Sequence, residues 1–182
     1  MNLIGFGLMR KQGYGVVRTN AEAVSSAAKI AKLQQAEILV APEAGIAGHI
    51  DHTDNLTRLL TYTTYVPNPW DSVVACNSSE SHPNIAKQIL AQQKQYLSAP
   101  WLQYNSYEPD DNCPEGGFYI HNTEVVIDRN GAVIARYRKI HLFDEDFFTP
   151  GPINDTTALF TTDFGVSFTL QLILLKVLGA EV

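Results

Sequence analysis

The chain has 182 residues, room for one domain, with 45% hydrophobic and 18% charged side chains, the proportions of a globular fold. A formal charge of −6 and a pI near 5.3 argue against sequence-independent nucleic-acid binding, which needs a basic surface. No run of about 20 apolar residues occurs, so nothing reads as a transmembrane helix, and Arg10 and Lys11 follow the apolar opening instead of preceding it, unlike a signal peptide.

Residues 1–19 hold Gly5, Gly7, Gly13 and Gly15 and show no firm period. They read as a poorly ordered N-terminal segment, with no recognisable strand, ahead of a domain over residues 20–182. Their glycines do not follow a strand pattern, so phosphate binding is discounted. Asn20 is a suitable helix cap and Glu22 suits the positive end of the helix dipole. Val24, Ala27, Ala28 and Ala31 form a stripe, with Ile30 and Leu33 beside it, which predicts a helix over residues 21–35. The apolar run Ile38, Leu39, Val40, Ala41 then has the length of a strand covered on both faces. Pro42 ends it, because proline cannot donate to a ladder. Glu43 is thereby placed just beyond the C-terminal end of a buried strand, the edge where α/β sheets build their sites. A helix leading into a central strand gives the class as α/β.

Residues 44–84 are rich in turn formers, residues 85–96 (IAKQILAQQKQY) have helical spacing, and residues 96–107 are aromatic and extended, with Pro100 interrupting. A hairpin is predicted across residues 121–143, where two runs rich in β-branched residues flank Asp128, Arg129, Asn130 and Gly131. Asn-Gly tolerates the two positive φ angles of a type I′ turn. Strict alternation places Val133, Ala135, Tyr137 and Lys139 on one face and Ile134, Arg136 and Arg138 on the other. A lysine following three apolar or aromatic side chains is unusual, because burying an unpaired ammonium is costly. Snorkelling at the strand end would explain it alone; a functional reading needs a carboxylate to meet it. Residues 158–160 and 165–178 read as two further strands.

Three glycosylation sequons begin at Asn55, Asn77 and Asn154, compatible with a secreted glycoprotein or with ordinary polar loops. Cys76 and Cys113 both lie in turn-rich surroundings and read as a disulfide in a secreted chain or as plain thiols in a cytosolic one.

The segments 36–46 (AEILVAPEAGI), 117–126 (GFYIHNTEVV) and 135–143 (ARYRKIHLF) resemble the nitrilase superfamily of carbon–nitrogen hydrolases, most closely its vanin/biotinidase branch. The resemblance implies an αββα sandwich, here partial with its second half missing, and a Glu–Lys–Cys triad acting on a small-molecule linear amide of the pantetheine or biotin-amide kind. It implies no metal and no cofactor. Glu43 matches the general base, Lys139 the charge that stabilises the oxyanion, and Glu145 is the nearest match to a second glutamate that places the lysine. It also implies an extracellular or membrane-anchored setting. The departure is the nucleophile: Phe168, Thr169, Leu170, Gln171, Leu172 stand where the family has its cysteine strand, with Leu170 at the cysteine's own place. Cys76 and Cys113 precede the hairpin and do not substitute.

Three functional readings follow. The chain is a hydrolase scaffold inactive as written, or a secreted non-catalytic binding protein retaining the old pocket, or a fragment of a longer active enzyme.

Overall fold

The computed structural model describes residues 3–5, 16–43, 45–46, 63, 66–71, 96–106, 118–142 and 146–170. The readings placed on residues 85–95 and 171–178, on Glu145, on the sequons at Asn55 and Asn77, and on Cys76 and Cys113 lie outside these.

The described strands form a five-stranded sheet, ordered β1 (Leu3–Gly5), β2 (Ile38–Val40), β3 (Tyr96–Ser106), β4 (Phe118–Ile127), β5 (Val133–Arg138), and a two-stranded sheet of β6 (Leu159–Thr161) and β7 (Ser167–Thr169). β1, β2 and β3 are mutually parallel, and β3, β4 and β5 antiparallel. The strand at Leu3–Gly5 corrects the sequence reading of this stretch. Three residues ending in Gly5 carry no period of their own, and their pairing with Ile38–Val40 supplies the order.

The helix α1 spans Val16–Leu33, earlier than the Asn20 cap predicts. Asn20 is interior and buried, and its Nδ2 donates to the carbonyl of Ile46 at 3.1 Å. A tertiary partner therefore takes the side chain that a cap would have used. At the other end Gln35 adopts a φ of 56°. Ala36 N–H donates to Ala31 O and Gln35 N–H to Lys32 O, the paired bonds of a Schellman stop.

Two apolar clusters sandwich the large sheet. Ala21, Val24, Ala28 and Ala31 of α1 pack with Leu39, Val125, Ile127 and Val133 on one face. The small side chains let the helix approach closely, and burying Val24 fully is worth roughly 1.5–3 kcal/mol. Ile38, Val126 and Ala135 face the other way, onto Phe160, Ala158 and Leu170 around the small sheet. Leu39 and its neighbours Ile38 and Val40 thus point to opposite layers, the two-sided burial that the run predicted. The layering is helix, sheet, sheet.

Pro100 does not interrupt β3, because β2 pairs only with residues 96–98. Beyond them the strand has β4 as its one described neighbour, and an edge tolerates a missing donor.

The hairpin forms, with two corrections. Its turn is not type I′: Gly131 has a φ of 85°, while Gln35 is the sole described non-glycine residue with a positive φ. Asp128 replaces the missing geometry, its Oδ1 accepting from the N–H groups of Asn130 and Ala132 at 2.8 Å each. A register shift at Val126/Ile127 also breaks the alternation of β5: Val133 pairs with Ile127 and Ala135 with Val126. Val133 consequently faces α1, and only from Ala135 onward does the predicted face hold. Arg129, at the hairpin tip, donates to Asp163 at 2.8 Å and to Glu37, tying the tip to β2 and to the β6–β7 turn.

Candidate active site

Glu43 follows β2 in a turn whose Gly45 N–H donates to Pro42 O at 3.0 Å. A Cβ on Gly45 would lie 2.7 Å from that same carbonyl oxygen, so the tight return that aims Glu43 requires glycine. Lys139 follows β5 directly. Its N–H donates to Asn122 O at 2.8 Å and its carbonyl accepts from Gly151 N–H at 2.9 Å, so its backbone is held from both sides.

β2 and β5 are separated by β3 and β4, three interstrand steps or roughly 14 Å at about 4.8 Å each. The two side chains nevertheless meet, Lys139 Nζ donating to Glu43 Oε1 at 2.8 Å. Their exposures differ sharply, 1% for Lys139 and 28% for Glu43. The lysine is not snorkelling: its ammonium lies against a carboxylate inside the protein.

A third residue completes the contact. Asn122 Nδ2 donates to the same Oε1 of Glu43 at 2.8 Å. Its position was legible in principle. Counting back by twos from Val126, which faces the small sheet, Asn122 shares that face with Lys139, as does the buried Glu124. Polar residues on the buried face of a strand were the available signal, and the sequence reading applied it to β5 alone.

Leu170 lies on the same side of the large sheet. It is 8% exposed, its N–H donates to Ala158 O at 2.9 Å, and its cluster includes Val40 and Tyr137. On the opposite face His121 is buried, Nδ1 bonding to Thr149 O at 2.8 Å. Burial pushes its pKa down from 6.5 to about 4, with Arg138 and Arg136 adding to the fall and the Thr149 bond opposing it. Asn154 is exposed in the turn after Pro152. Among the described residues no three His, Cys, Asp or Glu side chains gather as metal ligands.

Chemically, a carboxylate can accept a proton, and a buried ammonium beside it can stabilise a nearby oxyanion. An ammonium has no lone pair with which to attack an amide.

Comparison with known proteins gives consistent findings. Residues 14–182 match the carbon-nitrogen hydrolase family. A pantetheinase from Bos taurus is 31% identical over 164 residues, covering 85% of this chain and 31% of that protein. A vanin-like protein 3 from Drosophila melanogaster is 51% identical over 59 residues, 32% of this chain and 11% of that protein. The chain thus spans less than a third of the length of either relative. Among solved structures, a carbon-nitrogen hydrolase from Helicobacter pylori G27 superposes with a TM-score of 0.51 at 15% identity, over 79% of this chain and 43% of that one. A glutamine-dependent NAD(+) synthetase from Cytophaga hutchinsonii gives 0.52 at 21% identity, over 87% and 23%. These two establish the shared fold.

Proposed function

The chain belongs to the carbon-nitrogen hydrolase family, in its pantetheinase and vanin branch, and from that premise we propose that it is an amide-hydrolase domain that keeps the base and the charge of the reaction but has lost the nucleophile. Glu43 is the proton acceptor, Lys139 the oxyanion-stabilising cation, Glu145 a lysine-placing carboxylate, and Leu170 stands where the attacking thiol belongs. In an active site of this chemistry the carboxylate takes the thiol proton, the thiolate attacks the amide carbon, and the ammonium stabilises the oxyanion. A leucine has no proton to give and no lone pair to attack with.

The observation that carries the reading is the 2.8 Å contact between Lys139 Nζ and Glu43 Oε1. The substrate class is a small linear amide of the pantetheine kind. Purified chain incubated with pantetheine should show no release of cysteamine, and Leu170→Cys should gain turnover. Hydrolysis by the unaltered chain overturns the proposal. Binding of pantetheine without turnover, measured by calorimetry, would select the binding-protein reading.

The setting proposed is extracellular or membrane-anchored, supported by the three sequons and by the exposure of Asn154. Expression through a secretory pathway should yield a mass that falls on treatment with peptide N-glycosidase. If the sequence is a piece of a longer enzyme, the natural product will exceed 20.1 kDa by intact mass.

A further inference from the structure

We infer that Asn122 is a positioning residue for the Glu43 carboxylate: it loads one oxygen with a second hydrogen bond and leaves the other as the oxygen that exchanges protons. The inference rests on the reading of Glu43 as the base.

The geometry is specific. Oε1 accepts from Lys139 Nζ and from Asn122 Nδ2, each at 2.8 Å, while among the described residues Oε2 accepts no hydrogen bond. A carboxylate oxygen offers two in-plane lone pairs, so two donors on Oε1 occupy its good acceptor directions. Proton transfer then falls to Oε2. Two donors arriving from different strands also fix the plane of the carboxylate, which a lone lysine on a flexible stem would leave free to rotate.

Asn122 suits this role because one residue holds both partners. Its carbonyl accepts from Lys139 N–H at 2.8 Å, its amide donates to Glu43, and it is 6% exposed. An ionised carboxylate only accepts, so the amide must present Nδ2 to it. A serine here would be too short to reach, and an aspartate would set two carboxylates against each other.

The test reads the carboxylate directly. With ¹³C-glutamate labelling, the infrared difference between a protein and its Glu43→Gln variant isolates the Glu43 stretching bands. The separation of asymmetric and symmetric stretches is wide when hydrogen bonds load one oxygen and narrows as loading evens out. Asn122→Ala should narrow it, and Asn122→Ala with Lys139→Met should narrow it further. Asn122→Ser serves if the alanine variant does not fold. An unchanged separation overturns the inference. Kinetics give a second readout in the Leu170→Cys chain, where Asn122→Ala should lower kcat about 10–100-fold with KM within about twofold, the signature of lost alignment. A rise in KM alone also overturns it. If Leu170→Cys itself shows no turnover, the proposed function fails, and the infrared bands still decide the role of Asn122.

Discussion

Removing either partner of the Glu43–Lys139 pair should destabilise the fold by different amounts, and the difference follows from exposure. In Glu43→Ala the ammonium of Lys139, 1% exposed, loses its contact with the Glu43 carboxylate at 2.8 Å. Deleting one member of a buried ion pair costs about 3–5 kcal/mol. Asn122 can turn its amide to offer Oδ1, returning a hydrogen bond of about 1 kcal/mol, which leaves a net loss of about 2–4 kcal/mol. Lys139→Met strands a carboxylate that is 28% exposed and keeps the Asn122 donor, so that variant should lose no more than about 1 kcal/mol. The double variant should be more stable than Glu43→Ala alone. Urea unfolding followed by tryptophan fluorescence resolves the ordering, since at an m value of about 2 kcal/mol/M the larger loss moves the midpoint by about 1–2 M. Equal losses, or a larger loss for Lys139→Met, would refute the argument from burial.

His121 should make stability fall in mild acid. Its folded pKa of about 4 lies below the ordinary 6.5, so between these values the unfolded chain binds more protons and stability rises with pH. The contribution is fully present above about pH 6.5 and lost towards pH 4, in total roughly 3 kcal/mol. Urea midpoints measured across that range should flatten in His121→Gln, and an undiminished slope would assign the effect elsewhere. Gln35→Gly should raise the thermal midpoint, with a gain of about 1 kcal/mol, because Gln35 holds a left-handed φ of 56° that glycine adopts without strain. Gly45→Ala should lose about 1–3 kcal/mol in the same assay, since its Cβ would meet Pro42 O at 2.7 Å and the turn must open.

The parts of the site readable in the sequence were those that break a local pattern. Glu43 stood out because Pro42 stops an apolar run, and Lys139 because an ammonium closes an apolar face. Neither signal says where the partner lies, and the strand order that brings them together is a tertiary fact. Asn122 escaped because its strand mixes polar and apolar residues on both faces. The register shift beside Ile127 was invisible for a different reason: a bulge adds a residue without altering composition. The first strand, only three residues long, owes its order to its parallel partner and carries no period for a reader to detect.

The pair and the nucleophile also answer to different physical demands. Leu170 sits in an apolar cluster with Ile38, Val126 and Phe160. Under the proposed reading, exchanging a thiol for a leucine there adds apolar area to a cluster that is already apolar, so the fold bears little cost while the chemistry is lost. Glu43 and Lys139 behave in the opposite way. Once the ammonium is buried, its carboxylate stabilises it whether or not any amide is cleaved, so under the proposed reading the pair outlasts catalysis. Under the proposed reading, an intact Glu–Lys contact reports a shared scaffold, and the residue at position 170 reports activity.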